Sequence, residues 1–296
     1  MQQDRLIVVL ADISGYTRFM IENRTSAVHG QLCINSLIEA ILAHVDIPLT
    51  LQEIEGDAVF LYARHPGTES GWAGMLKEIS EKLDRFFEAF IAETGISAES
   101  TPCACAICRN ADKLGLKIIV HVGDAVFHDV AGRSQVSGPD VILAHRLLKN
   151  SVDSNDYLLL TERAYQAMLA DLKGEFEPHA ERYEGFGNVT AFVRRLDQRV
   201  LDARDAIYRM SEADAQHAVG EYIGWVRRHI DRAVLQQIRS PTSRLTWKDR
   251  LLLIWEQVVL YRLGSPSLKT RIRRTQRQRG HRREQWGPPE DPRFPS

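Results

Sequence analysis

Residues 11–20 read ADISGYTRFM. They continue the apolar run Leu6 to Leu10 and end it with a carboxylate, Asp12, just before the turn-forming pair Ser14 and Gly15. An aliphatic, β-branched run of this kind predicts a buried strand over residues 5–11. An acid at the tip of such a strand has two uses. It caps the next helix through a side-chain oxygen, or it holds a hard cation, which prefers oxygen ligands. The rest of the chain has to decide between them.

A second acid stands in a similar place. EIEGDAVFLY, residues 53–62, reads as part of two strands within 49–62 that meet at the turn Glu55-Gly56-Asp57. If these strands neighbour the first in one sheet, Asp12 and Asp57 project from the same edge. Two divalent ions held there would activate a hydroxyl nucleophile and neutralise a triphosphate. The turn Ser14-Gly15-Tyr16 would open a helix, whose free N–H groups suit phosphate oxygens.

Apolar residues at helical spacing predict helices over 25–44 and 72–93. Residues 101–114 read as a loop, and 116–122 and 125–130 as two strands around Gly123 and Asp124. A helix is expected over 139–149, a strand over 157–160, and a helix over 161–171 with Thr161 as its N-cap. Residues 176–182 and 189–194 close the pattern as a hairpin through Gly185 and Gly187. Strands alternating with helices and interrupted by hairpins predict an α+β architecture, with a mixed or antiparallel sheet and helices on one side.

The chain has 296 residues, 44% hydrophobic and 26% charged, with a formal net charge of -1. That balance fits a globular protein and gives no whole-protein attraction to polyanions. Met1-Gln2-Gln3-Asp4-Arg5 runs straight into the first strand without an export signal, and no stretch has the apolar length of a membrane span. The expected location is the cytoplasm. There, Cys103, Cys105 and Cys108 read as a candidate structural zinc site rather than a disulfide framework, with His121 or Cys33 as a fourth ligand. The bland alternative is three free thiols in a loop.

Beyond about residue 198 the strand pattern stops. Residues 199–264 predict a helical extension, and 265–296 a basic, Pro-containing, disordered tail. Seven arginines between Arg271 and Arg283 would suit an anionic membrane or nucleic acid, although a solvated tail is the simpler reading.

ADISGYTRFM, EIEGDAVFLY, GLKIIVHVGDAV (115–126) and SGPDVILAHRLLKN (137–150) stand in an order that resembles the catalytic domains of class III nucleotidyl cyclases. The resemblance covers roughly residues 5–195. Within that superfamily the chain is similar to an uncharacterised bacterial cyclase-homology family, a domain of unknown function. That family has a Cys-x-Cys-x-x-Cys insert and an AHRLLKN helix, and both patterns are present here.

The resemblance implies a ferredoxin-like cyclase fold over residues 1–198. It implies that Asp12 and Asp57, with the backbone carbonyl of Ile13, bind two Mg²⁺ or Mn²⁺ ions. Ser14, Gly15, Tyr16 and Thr17 would face the phosphates of a nucleoside triphosphate. Glu53 and Gln135 would stand at the two base-selecting positions, and Glu53 mildly favours guanine because it accepts hydrogen bonds. Arg146 would stabilise the pentavalent phosphate. Such sites form at a head-to-tail homodimer interface, with the aspartates from one subunit and the arginine from the other.

The chain departs from that pattern in two places. Ile142 stands where the arginine's polar partner, an Asn, is expected, and Glu184 where a triphosphate-binding Lys is expected. Lys149 and His145 are the nearest substitutes in sequence. The departures support an alternative reading, a catalytically impaired cyclase-homology domain that senses a nucleotide or serves as a signalling or interaction module. A third reading makes the basic tail an adaptor and the domain a vestige.

Overall fold

The computed structural model describes residues 1–22, 27–43, 48–100, 111–196, 246–248 and 251. The chain divides into two compact units: Met1–Ala98 with Ala106–Arg209, and Glu99–Cys105 with Met210–Ser296. The expected extension and basic tail fall mostly outside the described residues, as does the cysteine loop. Among the described residues, no helix is long and apolar enough to cross a membrane.

The first unit is built on an eight-stranded sheet. Its opening elements are β1 (Gln2–Ser14), α1 (Tyr16–Glu22), α2 (Ala27–Leu42), β2 (Thr50–Glu55), β3 (Ala58–Arg64), α3 (Glu69–Ser100) and β4 (Gly115–Val130). These strands lie in the order β2-β3-β1-β4, with every pair antiparallel. A βαββαβ path in that order is the ferredoxin-like arrangement. The sheet is then extended by β6 (Tyr157–Thr161), parallel to β4, and by the hairpin β8 (Gly187–Arg195) and β7 (Glu177–Tyr183). Between them lie β5 (Arg133–Ser137), α4 (Pro139–Leu147) and α5 (Glu162–Met168).

β1 is central, and its residues Leu6 to Leu10 are completely buried. Consecutive strand residues face opposite sides, so both faces of the sheet must be covered. On one face Leu6, Val8 and Leu10 pack with Phe60, Ile119 and Leu159, under Val141, Ala144 and Leu147 of α4. The alternate set, Ile7, Val9, Ala11 and Ile13, is equally buried. Ile34, Leu37 and Ile41 of α2 and Ile79, Leu83, Phe86 and Phe90 of α3 are buried as well. Arg5, also on the odd-numbered face of β1, lies over Trp72 of α3. The expectation of helices on one side is therefore corrected: α4 packs on the opposite face. Its Val141, Leu143, Ala144 and Leu147 form one buried stripe, so a single short helix suffices there.

Two local readings also change. Gly123 and Asp124 do not break a hairpin, because β4 runs unbroken from Gly115 to Val130 and turns only at Ala131 and Gly132, both with positive φ. β5 follows, a strand not expected from the sequence because Arg133, Ser134 and Gln135 carry no apolar alternation. The reason for Gly123 is close packing. A Cβ there would lie 2.4 Å from the Asp140 carboxylate. That carboxylate accepts the Asp124 amide at 2.7 Å, faces His121 Nε2 at 3.2 Å and lies 3.7 Å from Arg163. Gly123→Ala must displace a carboxylate with three partners. The expected cost is about 1–3 kcal/mol in a urea unfolding titration.

Candidate functional site

Asp12 and Asp57 do come together. Asp12 sits near the end of β1, opposite Ala58 of β3 and Lys117 of β4. Asp57 occupies the β2–β3 turn, which Gly56 completes with φ 64°. The Ile13 amide donates to the Asp57 backbone carbonyl at 3.2 Å and ties the turn to the strand end. The two carboxyl groups interact electrostatically. Burial, and then the charge of Asp12, push the Asp57 carboxyl up to about 7. Two oxygen-rich side chains whose negative charges oppose each other in a sheltered place are the donor set a hard divalent ion relieves. Among the described residues no group of three or more His, Cys, Asp and Glu side chains gathers, so this site is a pair, and a bound ion would complete its shell with other oxygens.

The raised acid makes stability depend on pH. Between the ordinary value of 3.8 and about 7, the folded protein keeps a proton on Asp57 that the unfolded chain has released. Stability contributed by that proton is present at low pH and is lost as pH rises through this window. Asparagine imitates the protonated acid at every pH. In metal-free buffer, Asp57→Asn is therefore expected to melt higher than the wild type, by about 2–4 °C at about pH 8, with the gain shrinking toward about pH 5. Thermal melts across that range check it.

Lys117 also belongs to the site. Its Nζ lies 2.7 Å from Asp12 Oδ2 and donates to the Leu148 carbonyl at 2.9 Å. Next to it across the sheet is Tyr157, whose hydroxyl is hydrogen-bonded to Asn150. Burial above all, aided by the Asp12 charge, pushes that phenol up to about 12, so it stays protonated as a donor. The sequence carried one signal for Lys117: it is the lone charge in the apolar run Leu116 to Val120, and a charge on a buried strand requires a partner.

Ser14, Gly15, Tyr16 and Thr17 form the turn after Asp12, with Gly15 at φ 85°. Ser14 is buried, and the Tyr16 hydroxyl donates to Gln31 of α2 at 3.4 Å. Glu53 is exposed on β2, paired with Phe60 just past a bulge. Gln135 lies on β5, paired with His128. The two approach each other through their neighbours, because the Gln52 side chain donates to the Ser134 carbonyl at 3.1 Å.

Arg146 is exposed near the C-terminus of α4, and its guanidinium is directed at its own β7–β8 turn. It donates to the Glu184 carbonyl at 3.3 Å and lies over the Phe186 ring. Ile142, one helical turn earlier, is 53% exposed. His145 packs edge-on against Phe60. Thr161 precedes α5 without capping it; its hydroxyl instead meets His121 Nδ1 at 2.9 Å. His121 thus lies between Thr161 of β6 and Asp140 of α4. Cys103, Cys105 and Cys108 lie outside the described residues, and Cys33 is buried in α2.

A family described as a protein of unknown function, DUF2652, matches residues 34–157. An uncharacterized protein of Mycobacterium tuberculosis is 29% identical over 142 residues. That alignment covers 48% of this chain and 64% of the relative, so the chain spans less than two thirds of the relative's length. Solved structures with similar chain courses include the guanylyl cyclase Cya2, at 13% identity and a TM-score of 0.45, covering 67% of this chain and 95% of that one. Another is the adenylyl cyclase CyaB from P. aeruginosa, at 16% identity and a TM-score of 0.43, covering 67% and 97%. A third is the guanylate cyclase domain of RhGC from Catenaria anguillulae in complex with GTP, at 17% identity and a TM-score of 0.45, covering 67% and 100%.

Proposed function

We propose that this chain is a metal-dependent nucleotidyl cyclase, which converts a nucleoside triphosphate to a 3′,5′-cyclic nucleotide and pyrophosphate. The observation that carries the reading is the meeting of Asp12 and Asp57 at one end of the sheet, with Asp57 pushed up to about 7 by burial and by its neighbour. Mg²⁺ or Mn²⁺ held by this pair would make the ribose 3′-hydroxyl acidic and neutralise the triphosphate.

The protein's own groups supply the rest. Asp12 and Asp57, with the Ile13 carbonyl, would hold the ions that anchor the triphosphate. The turn Ser14 to Thr17 lies beside the phosphates. Glu53 accepts hydrogen bonds from a guanine edge, with Gln135 at the second base position. As the bond from O3′ to the α-phosphorus forms, the bond to the leaving pyrophosphate breaks with its electron pair and the hydroxyl proton passes to water. Arg146 stabilises the charge on that phosphorus. In one chain its guanidinium is turned to its own hairpin, so the reading requires a head-to-tail homodimer in which Arg146 serves the partner's aspartates. The exposure of Ile142 and Arg146 on the outer side of α4 supports such a meeting face. A nucleoside triphosphate substrate would fit a cytoplasmic location.

Three observations favour the second reading, a nucleotide sensor on the same fold. Ile142 has no polar atom to position Arg146, Glu184 stands in place of a lysine, and the Glu184 carbonyl holds the arginine within its own chain. The deciding experiment incubates the full chain with Mn²⁺ and ATP, GTP, CTP or UTP in turn, and identifies products by mass spectrometry. A cyclic product, preferentially from GTP, supports the cyclase. Saturable nucleotide binding without product transfers the reading to the sensor. Ile142→Asn restores a polar partner at an exposed position. It is expected to raise turnover about tenfold and to change stability by less than about 0.5 kcal/mol.

A further inference from the structure

We propose that Lys117 is a tethered counter-ion that fills the cation position beside Asp12 and competes with the incoming divalent ion. The inference builds on the reading of Asp12 and Asp57 as a metal pair and concerns how that pair is loaded.

Lys117 and Asp12 are direct partners across β1 and β4. Their contact is 2.7 Å, and their side chains are only 19% and 14% exposed. A surface pair of this kind would exchange freely with water, but this one is sheltered, and the ammonium is fixed from a second side. The Leu148 carbonyl, just past α4, accepts from Nζ at 2.9 Å. Carbonyl groups at a helix C-terminus carry partial negative charge and favour a cation. Lys117 is therefore clamped between a carboxylate and a helix end, with its charge on one of the two oxygens that Asp12 offers.

A divalent ion bridging Asp12 and Asp57 meets that ammonium at close range. It must displace the ammonium from Asp12 Oδ2 or sit beside a like charge in a sheltered place. Either way, Lys117 weakens binding of the free ion. A metal–triphosphate complex meets less opposition, because its phosphate oxygens offer the displaced ammonium a new partner. Lys117 thus sets the site to load with the metal–nucleotide complex in preference to the bare ion. It also keeps the carboxylate pair partly neutralised while the site awaits substrate.

The test is calorimetric titration of the full chain with MnCl₂, without nucleotide, at about pH 8. Lys117→Met keeps the length and the apolar stem and removes the charge. It is expected to bind Mn²⁺ about tenfold or more tightly than the wild type. Lys117→Arg keeps the charge and is expected to stay within about twofold of the wild type. Circular dichroism establishes that each variant is folded; should Lys117→Met not fold, Lys117→Gln takes its place. Equal or weaker Mn²⁺ affinity in the uncharged variant, with the wild type still binding, overturns the competitor role and leaves the metal pair standing. No Mn²⁺ binding by either protein overturns the metal pair, and this proposal with it.

Discussion

If the chain is a cyclase, Asp57→Ala is expected to lower cyclic-nucleotide formation by at least about a hundredfold and to leave the protein folded. The two halves of that result follow from the same physical fact. The Asp57 carboxyl is held half-buried at the β2–β3 turn beside Asp12, and its ionised form is disfavoured there. A group kept in such a place does not stabilise the fold at neutral pH, so its removal relieves strain between charges rather than leaving a hole. What disappears is half of the oxygen pair that would hold the metal–triphosphate. Most catalytic side chains would be ambiguous in this test, because lost activity so often means lost structure. Here the account expects activity to fall while the melting temperature at about pH 8 holds or rises. Glu55, exposed and two residues away, is the matching control. Glu55→Ala is expected to leave both quantities unchanged, with product yield and thermal melts read on the same preparations.

Leu10→Ala has the opposite profile. Leu10 is completely buried in the central strand, opposite Phe60 of β3 and Ile119 of β4 and beneath the α4 stripe. Strands on both sides and a helix above leave its surroundings little freedom to collapse. Truncation there is expected to cost about 2–5 kcal/mol, a large share of the roughly 5–15 kcal/mol that holds a typical domain. In a thermal melt this corresponds to a fall of about 5–15 °C. Asp12 lies two residues further along the same strand and face, so metal affinity is expected to weaken as well. Ile142→Ala removes a similar volume from an exposed position and should shift the melt by little.

The central strands were legible because burial on both faces leaves an unbroken apolar run, and β1 is such a run from Leu6 to Leu10. The meeting of Asp12 and Asp57 was legible for a related reason. Each acid stands at one end of an apolar strand beside a glycine-containing turn, Asp12 near the end of β1 and Asp57 just before β3, and pairing those strands leaves both acids at one edge. Other features depended on contacts that no local pattern encodes. Gly123 suggested a turn, but it is there to admit the Asp140 side chain, a tertiary requirement. Thr161 suggested a helix cap, but its hydroxyl is taken by His121 from the neighbouring strand. Lys117 was visible only as an anomalous charge in a buried strand; its partner Asp12 is distant in sequence. Arg146 was identified by its place in AHRLLKN, while its actual engagement with Glu184 and Phe186 depends on how α4 docks against the β7–β8 hairpin. The polar β5 segment was missed because its pairing with β4 is set by the turn at Ala131 and Gly132 rather than by hydrophobic alternation.

Asp12 and Asp57 are proposed to form a divalent-metal centre. Electron paramagnetic resonance of Mn²⁺ added with a non-hydrolysable nucleoside triphosphate analogue tests it most directly, comparing the wild type with Asp12→Asn and Asp57→Ala. The account predicts a saturable protein-bound Mn²⁺ signal in the wild type that is lost in both variants while each stays folded. A bound signal of equal strength in all three proteins, or none in the wild type, would contradict it.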